Sequence, residues 1–374
     1  MLPFRPFPDI VAGLPRIPLG CLPTPVEQMR GLSDYFHRRD LFIKRDDISS
    51  SPYGGNKVRK LEFLLADAKA RGAVRVITSG AAGSNHALAT ALYAKKVGLS
   101  ATLILFDQPP SAEVAENLLM DAAAGAEMIY REKYEEYDRT ITDLCQLYNR
   151  KDGVAPYIIS AGGSSPVGAL GFVNAGFELK GQVDAGDLPE PKAIFVPIGT
   201  MGTAVGLLLG FRAAGLAARL VGVRVTPPTL ADPEKFRQLY CKTNELLRTF
   251  DPAFPDLHDS ASELSFCNNH FEPGYGLASK AVNEAVALIR KTDGIILDHT
   301  YTGKALAALL ADATRGAEGP LLFWNTKNSH PFSMQLLFEG EKSLPKEFQR
   351  FLLNPANIMS PEIDPLHNKS TYRS

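Results

Sequence analysis

The sequence predicts an α/β protein built from two open, twisted parallel-sheet domains with helices on both faces. Three observations carry this. Apolar strand-like segments alternate with helix-spaced ones from Leu41 to Trp324, and parallel strands need such crossover helices. Several of these strands run into small-residue turns that open a helix, as at the carboxyl edge of an α/β sheet. The strands are also too many for one small sheet, and 374 residues can fill two cores.

Residues 1–40 read as an irregular, proline-rich arm that includes Cys21-Leu22-Pro23-Thr24-Pro25. Leu41-Phe42-Ile43-Lys44 is the first strand. Val58, Leu61, Leu64, Leu65 and Ala68 have helical spacing that stops at Gly72. Strands at 74–78, 101–106, 126–130 and 157–160 then alternate with helices after Ser84, over 111–124 and over 133–150. A helix through Phe172, Ala175 and Phe177 leads to the buried strand 193–197, a helix over 204–213 and a strand over 220–225. Residues 227–262 are helical and charged, interrupted at Pro252 and Pro255. Apolar runs at 295–297 and 321–324 read as the last strands, and residues 355–374 lose all periodicity, as a flexible or loosely docked tail does.

A net charge of −1 with 45% hydrophobic residues argues against a nucleic-acid surface or a polybasic membrane anchor. Cys21, Cys145, Cys241 and Cys267 lack paired metal-ligand spacing, so neither a metal site nor a disulfide framework is expected. The N-terminus has no apolar signal core, and no run reaches the roughly 18 apolar residues of a spanning helix. The expectation is a cytoplasmic protein.

Four constellations carry chemistry. Gly54-Gly55-Asn56-Lys57 places a lysine where a sharp turn becomes a helix; alone it also reads as a turn followed by a solvated lysine. Gly83-Ser84-Asn85-His86 has an N-capping serine, and the next N–H groups suit a carboxylate. Gly199-Thr200-Met201-Gly202-Thr203 opens a helix and suits a phosphate, although it matches neither the dinucleotide nor the Walker fingerprint and equally fits a tight turn without ligand. Tyr275, beside Gly274 and Gly276, and Tyr301, in Asp298-His299-Thr300-Tyr301-Thr302-Gly303-Lys304, offer two phenols for proton transfer.

In this order, together with Leu22-Pro23-Thr24-Pro25 and Lys44-Arg45-Asp46-Asp47, these motifs resemble the fold-type II pyridoxal-phosphate enzymes, the tryptophan synthase β-like group. Within them the chain is most similar to the family of D-cysteine desulfhydrase and 1-aminocyclopropane-1-carboxylate deaminase, from Leu22 to about Thr326. The resemblance implies that Lys57 forms the Schiff base with pyridoxal 5'-phosphate and afterwards carries protons. It implies that Gly199, Thr200, Met201, Gly202 and Thr203 hold the phosphate with Lys60, and that Asn85 meets the ring hydroxyl. Ser84, Asn85 and His86 would contact a small amino-acid substrate, Tyr275 and Tyr301 would stand on the reacting side, and Thr302 or Thr326 would meet the pyridine nitrogen. A large cofactor domain of residues 1–59 and 171–374, a small domain of 60–170 and a homodimer follow from the same likeness.

Two reactions compete. The family's deaminases carry Tyr-Glu-Gly where this chain has Tyr301-Thr302-Gly303, which favours β-elimination from a small D-amino acid such as D-cysteine over opening of the cyclopropane. The desulfhydrases' His-Thr-Gly-Gly is here Asn325-Thr326-Lys327-Asn328, and Ala87-Leu88 stands where relatives often have Thr-Arg. These departures keep open a pyridoxal-phosphate-binding protein without turnover. A metabolite-binding module without cofactor is the remaining class.

Overall fold

The computed structural model describes residue 4 and residues 6–352, so the tail expected over 355–374 lies outside the described residues. In chain order the helices are α1 (Pro8–Gly13), α2 (Arg30–Tyr35), α3 (Asn56–Ala70), α4 (Asn85–Lys96), α5 (Ala112–Ala123) and α6 (Tyr137–Asp152). They continue as α7 (Pro166–Asp184), α8 (Gly202–Ala213), α9 (Pro233–Phe250), α10 (Lys280–Asp293), α11 (Thr302–Thr314) and α12 (Met334–Ser343). The strands are β1 (Val26–Gln28), β2 (Leu41–Lys44), β3 (Arg75–Ala81), β4 (Ser100–Phe106), β5 (Glu127–Arg131), β6 (Tyr157–Ile159), β7 (Ala193–Ile198), β8 (Arg219–Arg224), β9 (Ser265–Cys267) and β10 (Leu321–Trp324).

They form two sheets. The larger has the order β1-β2-β10-β7-β8-β9, and the smaller has the order β5-β4-β3-β6. Every pair is parallel except β1 with β2, where Val26 faces Lys44. β7 is buried at all six positions, as a central parallel strand covered on both faces must be. The helices start where local chemistry dictates. Ser84, Ser111, Ser165, Asp232 and Ser279 each accept an N–H three residues on, capping α4, α5, α7, α9 and α10.

Two expectations are corrected. The 1–40 arm is not irregular throughout, since it holds α1, β1 and α2. These elements are too short to show a period and are stabilised by distant partners. Asp293, at the end of α10, accepts the N–H groups of Gly31 and Leu32 at 2.9 Å, while β1 adds to the sheet edge. Nor do residues 295–297 form a strand. Ile295 and Leu297 are buried and Ile296 is exposed, so the alternation is real, but β9 takes the place beside β8.

Close helix contacts fix the site. A Cβ on Gly171 of α7 would sit 2.2 Å from the Arg59 carbonyl of α3, and one on Gly206 of α8 would sit 2.3 Å from the Ala169 carbonyl. The helix that carries Lys57 and the helix behind Gly199–Thr203 are therefore both clasped by α7. One core surrounds α7, α8 and β7; a second surrounds α3, α4 and β3 and takes in Leu344, Phe348 and Phe351 from beyond α12.

Candidate active site

A cavity of about 360 Å³ lies at the carboxyl ends of β3 and β7, between the two sheets. Twelve predicted residues line it: Lys57, Lys60, Ser84, Asn85, His86, Gly199, Thr200, Met201, Thr203, Tyr275, Tyr301 and Thr326. Gly202 and Thr302 are not among its walls.

Lys57 is the second residue of α3 and enters the cavity from a constrained turn. Gly55 has φ +90°, and a Cβ there would lie 2.8 Å from the Thr326 carbonyl. Only glycine fits both demands. The Asn56 N–H donates to that carbonyl at 3.1 Å, and its side-chain amide donates to Thr203 Oγ1 at 3.1 Å. One turn thus joins the lysine to β10 and to the mouth of α8. Burial lowers the Lys57 amine to about 8, so far more of it is unprotonated near neutral pH than of a solvated lysine.

Beneath Lys57 lies a charged cluster without access to solvent. Arg59 donates to Asp46 at 2.8 and 2.9 Å and to Glu178 at 2.8 and 2.9 Å. Lys44 donates to Glu178 at 2.6 Å, and the indole N–H of Trp324 donates to Asp46 at 2.9 Å. Burial opposes ionisation of Glu178, but Arg59 and Lys44 outweigh it and hold the carboxyl at about 2. Cations and carboxylates are matched, which a dry cluster requires.

The turn from β7 to α8 forms a cup. Met201 adopts left-handed backbone with φ +65°, strained for a residue with a Cβ, and so caps α8 without a side-chain bond. Thr200 Oγ1 and Ser164 Oγ lie 2.7 Å apart, and Ser164 Oγ accepts the Gly202 N–H at 3.1 Å. The amides that follow Gly202 at the start of α8 are among those a helix leaves unused, and its dipole favours an anion there. Lys60 donates to the Gly162 carbonyl at 3.0 Å beside this cup. Burial and then Lys57 drive its pKa well down, and a bound dianion would reverse that.

Facing the cup is the start of α4. Ser84 caps it, accepting the Ala87 N–H at 3.2 Å. Asn85 lines the cavity, and its Oδ1 accepts from Tyr53 at 3.2 Å and Asn117 at 3.0 Å. His86 is buried with Nε2 3.1 Å from Thr78 Oγ1; burial, then Lys57 and Lys60, keep it neutral.

The opposite wall is a phenol pair. The hydroxyls of Tyr275 and Tyr301 are 2.5 Å apart and their rings meet edge to face. Burial raises both pKa values, with Tyr275 adding to the rise at Tyr301, so both phenols stay protonated. Asp298 accepts the N–H groups of Tyr301 and Thr302 and the Thr302 hydroxyl, which fixes this corner. Thr302 is fully buried against Asp298 and is turned away from the cavity, whereas Thr326 lines it.

Sequence reasoning missed Ser164, and it placed Asn56 and Asp298 within the motifs without giving either a role. Asp298, three residues before Tyr301 at a helix start, has a capping signature that could have marked it. Ser164 bonds to residues 36 and 38 positions away, which no local pattern reveals.

Residues 17–326 match the model of the family described as "Pyridoxal-phosphate dependent enzyme". The chain belongs to this family. Like its fold-type II members it has paired parallel-sheet units, and it uses pyridoxal phosphate. The residues present fit that cofactor: an amine of lowered pKa for the aldehyde, a dipolar cup for the phosphate, and a glycine turn in which a Cβ would intrude. A D-cysteine desulfhydrase of Salmonella newport is 35% identical over 321 residues, covering 83% of this chain and 93% of the relative. The crystal structure of an ACC deaminase homologue superposes with TM-score 0.73 at 32% identity, covering 88% of this chain and 98% of that one. The processed form of threonine deaminase isoform 2 from Solanum lycopersicum, at 17% identity and TM-score 0.58, covers 91% and 87% and shares the fold.

The departures from the family pattern have structural work. Asn328 Oδ1 accepts the Gly54 N–H at 2.7 Å, steadying the lysine turn, and Lys327 reaches Glu113 of α5 at 3.1 Å.

Proposed function

We propose that this pyridoxal-phosphate enzyme is a lyase that converts D-cysteine and water to pyruvate, ammonia and sulfide. The observation that carries the reading is the pair of protonated phenols across the cavity from a lysine of lowered pKa. The likeness to a D-cysteine desulfhydrase over nearly its whole length supports it.

Pyridoxal phosphate supplies an electron sink for the substrate's Cα when bound. The chain's own residues divide the remaining tasks. Lys57 Nζ anchors the cofactor and takes or returns a proton on its side of the substrate. Gly199, Thr200, Met201 and Thr203, with Lys60, hold the phosphate, and Gly202, its N–H bonded to Ser164, shapes the cup. Ser84 and the amides behind it orient the substrate carboxylate, with Asn85 and His86 alongside. Tyr301 Oη, still protonated, donates to the departing sulfur, with Tyr275 Oη as its hydrogen-bond partner. Thr326 meets the pyridine nitrogen; Thr302 steadies Asp298 and, through it, Tyr301.

The same reading includes a large domain of 1–59 and 171–374, a small domain of 60–170, a homodimer and a cytoplasmic location. Among the described residues no helix is long and apolar enough to cross a membrane. The test offers D-cysteine, L-cysteine, β-chloro-D-alanine, D-serine and aminocyclopropane carboxylate to the yellow protein. Sulfide and pyruvate are expected from D-cysteine. Sulfide from the L-isomer only, or turnover of the cyclopropane alone, sinks the proposal. A change of absorbance with none of the five would instead point to a binding protein without turnover.

A further inference from the structure

We propose that Lys304 is a positioning residue that pins the loop 268–277 and thereby sets Tyr275 against Tyr301. Lys304 lies in the first turn of α11, three residues after Tyr301, and is wholly buried. Its ammonium donates to the carbonyls of Phe271 at 2.8 Å and Gly274 at 2.7 Å and lies 5.5 Å from the centre of the Phe271 ring. The loop needs such a tie. It runs from the end of β9 toward α10 without regular structure, and Asn268, Asn269, Glu272, Pro273, Gly276 and Leu277 are exposed. Its own turns are bonds from Phe271 N–H to the Asn268 carbonyl, from Gly274 N–H to the Phe271 carbonyl and from Leu277 N–H to the Gly274 carbonyl, at 3.0–3.4 Å.

Lys304 therefore takes the second lone pair of two carbonyls that already serve the loop's turns. Among the described residues, two side chains outside the loop bond to it: Lys304 through those carbonyls and Tyr301 through the Tyr275 hydroxyl. Both belong to the start of α11. That helix sets Tyr301 through the backbone and Tyr275 through a buried ammonium, so the phenol pair is registered from one element. Gly303 lets the helix start this close: a Cβ there would stand 2.7 Å from the Asp298 carbonyl. The charge is unusual for its depth. Burial brings the Lys304 amine down to about 8, with Glu272 and Asp298 resisting the fall.

The inference rests on the phenol pair's proposed role, and its test separates the two. Lys304→Met, Tyr275→Phe and the double variant are prepared as cofactor-loaded protein. Lys304→Met is expected to lower kcat on D-cysteine by about 10- to 100-fold with KM nearly unchanged. In the Tyr275→Phe background the same substitution should add almost nothing, because it acts through Tyr275. Hydrogen exchange should rise at the amides of 271–277 and nowhere else, a readout that needs no substrate. Multiplicative losses in the double variant, or an unchanged exchange pattern in a folded Lys304→Met protein, overturn the proposal. Loop exchange that rises while D-cysteine is not turned over by any form retains Lys304 as the tie and discards the substrate reading. Should Lys304→Met fail to fold, Lys304→Arg carries the same cycle: it keeps the charge, but its planar fork cannot reproduce both bonds.

Discussion

The two walls of the cavity are built on different principles. The lysine wall is dry and over-determined. Gly55 has no room for a Cβ, Asn56 ties two elements together, and Arg59, Asp46, Glu178 and Lys44 form a cluster closed to water. The phenol wall is a loop and a helix start, held by Asp298 and Lys304 through a handful of bonds. Strain at Met201 persists because the lysine side is rigid. The phenol side holds its geometry with less material, and there substitutions should alter chemistry without unfolding the chain. A cofactor common to many reactions asks for the first kind of wall. A particular substrate asks for the second.

That contrast can be broken most severely at Lys57. Lys57→Ala should remove the visible absorbance of the bound cofactor and lower turnover by at least about 10³-fold, measured by spectroscopy and sulfide release. Arg59→Ala should act on stability instead. Leaving Asp46 and Glu178 without their buried partner is expected to cost about 3–5 kcal/mol, read as a lower denaturation midpoint and a shift in emission of Trp324, the single tryptophan. If Arg59→Ala left stability unchanged, the lysine wall would not be over-determined. Tyr301→Phe should do the opposite: kcat down by about 10²-fold, with the melting temperature nearly unchanged.

A gentler probe is pH. Lys57 is lowered by burial to about 8, so its unprotonated fraction grows as pH rises through that value rather than through the usual lysine range. Uptake of pyridoxal phosphate by the apoprotein should therefore quicken as pH rises through about 8 and level off roughly a unit higher. A midpoint near the ordinary lysine value would mean that the amine is solvated. The buried carboxylate behaves in the reverse sense. The folded pKa of Glu178 is depressed to about 2, so the stability it contributes is present above the ordinary glutamate range and is lost as pH falls toward 2.

The lysine wall was also the more legible one. Gly54-Gly55-Asn56-Lys57 and Gly199–Thr203 are contiguous, the first where a turn opens α3 and the second where β7 becomes α8, so composition and order sufficed. The phenol wall was only half legible. Tyr275 and Tyr301 stood out, but Thr302 was expected at the cofactor and is turned into Asp298. The direction of a side chain at a helix start depends on what accepts its hydroxyl, which a motif does not record. The apolar run 295–297 has the alternation of a strand, yet β9 is the strand that pairs with β8. In the 1–40 arm, α2 owes its cap to Asp293, some 260 residues away, and pairing of that range leaves no trace in a local window.

The strand order has a consequence in time. β10 sits between β2 and β7, so the centre of the larger sheet is filled by its last strand. While the chain is being synthesised, β2 and β7 have an open slot between them, and the carbonyl of Thr326 that holds the lysine turn is not yet made. A chain halted before Leu321 should acquire no cofactor colour, however complete its lysine and its cup. Capture of the cofactor thus reports that synthesis has passed the strand that closes the sheet.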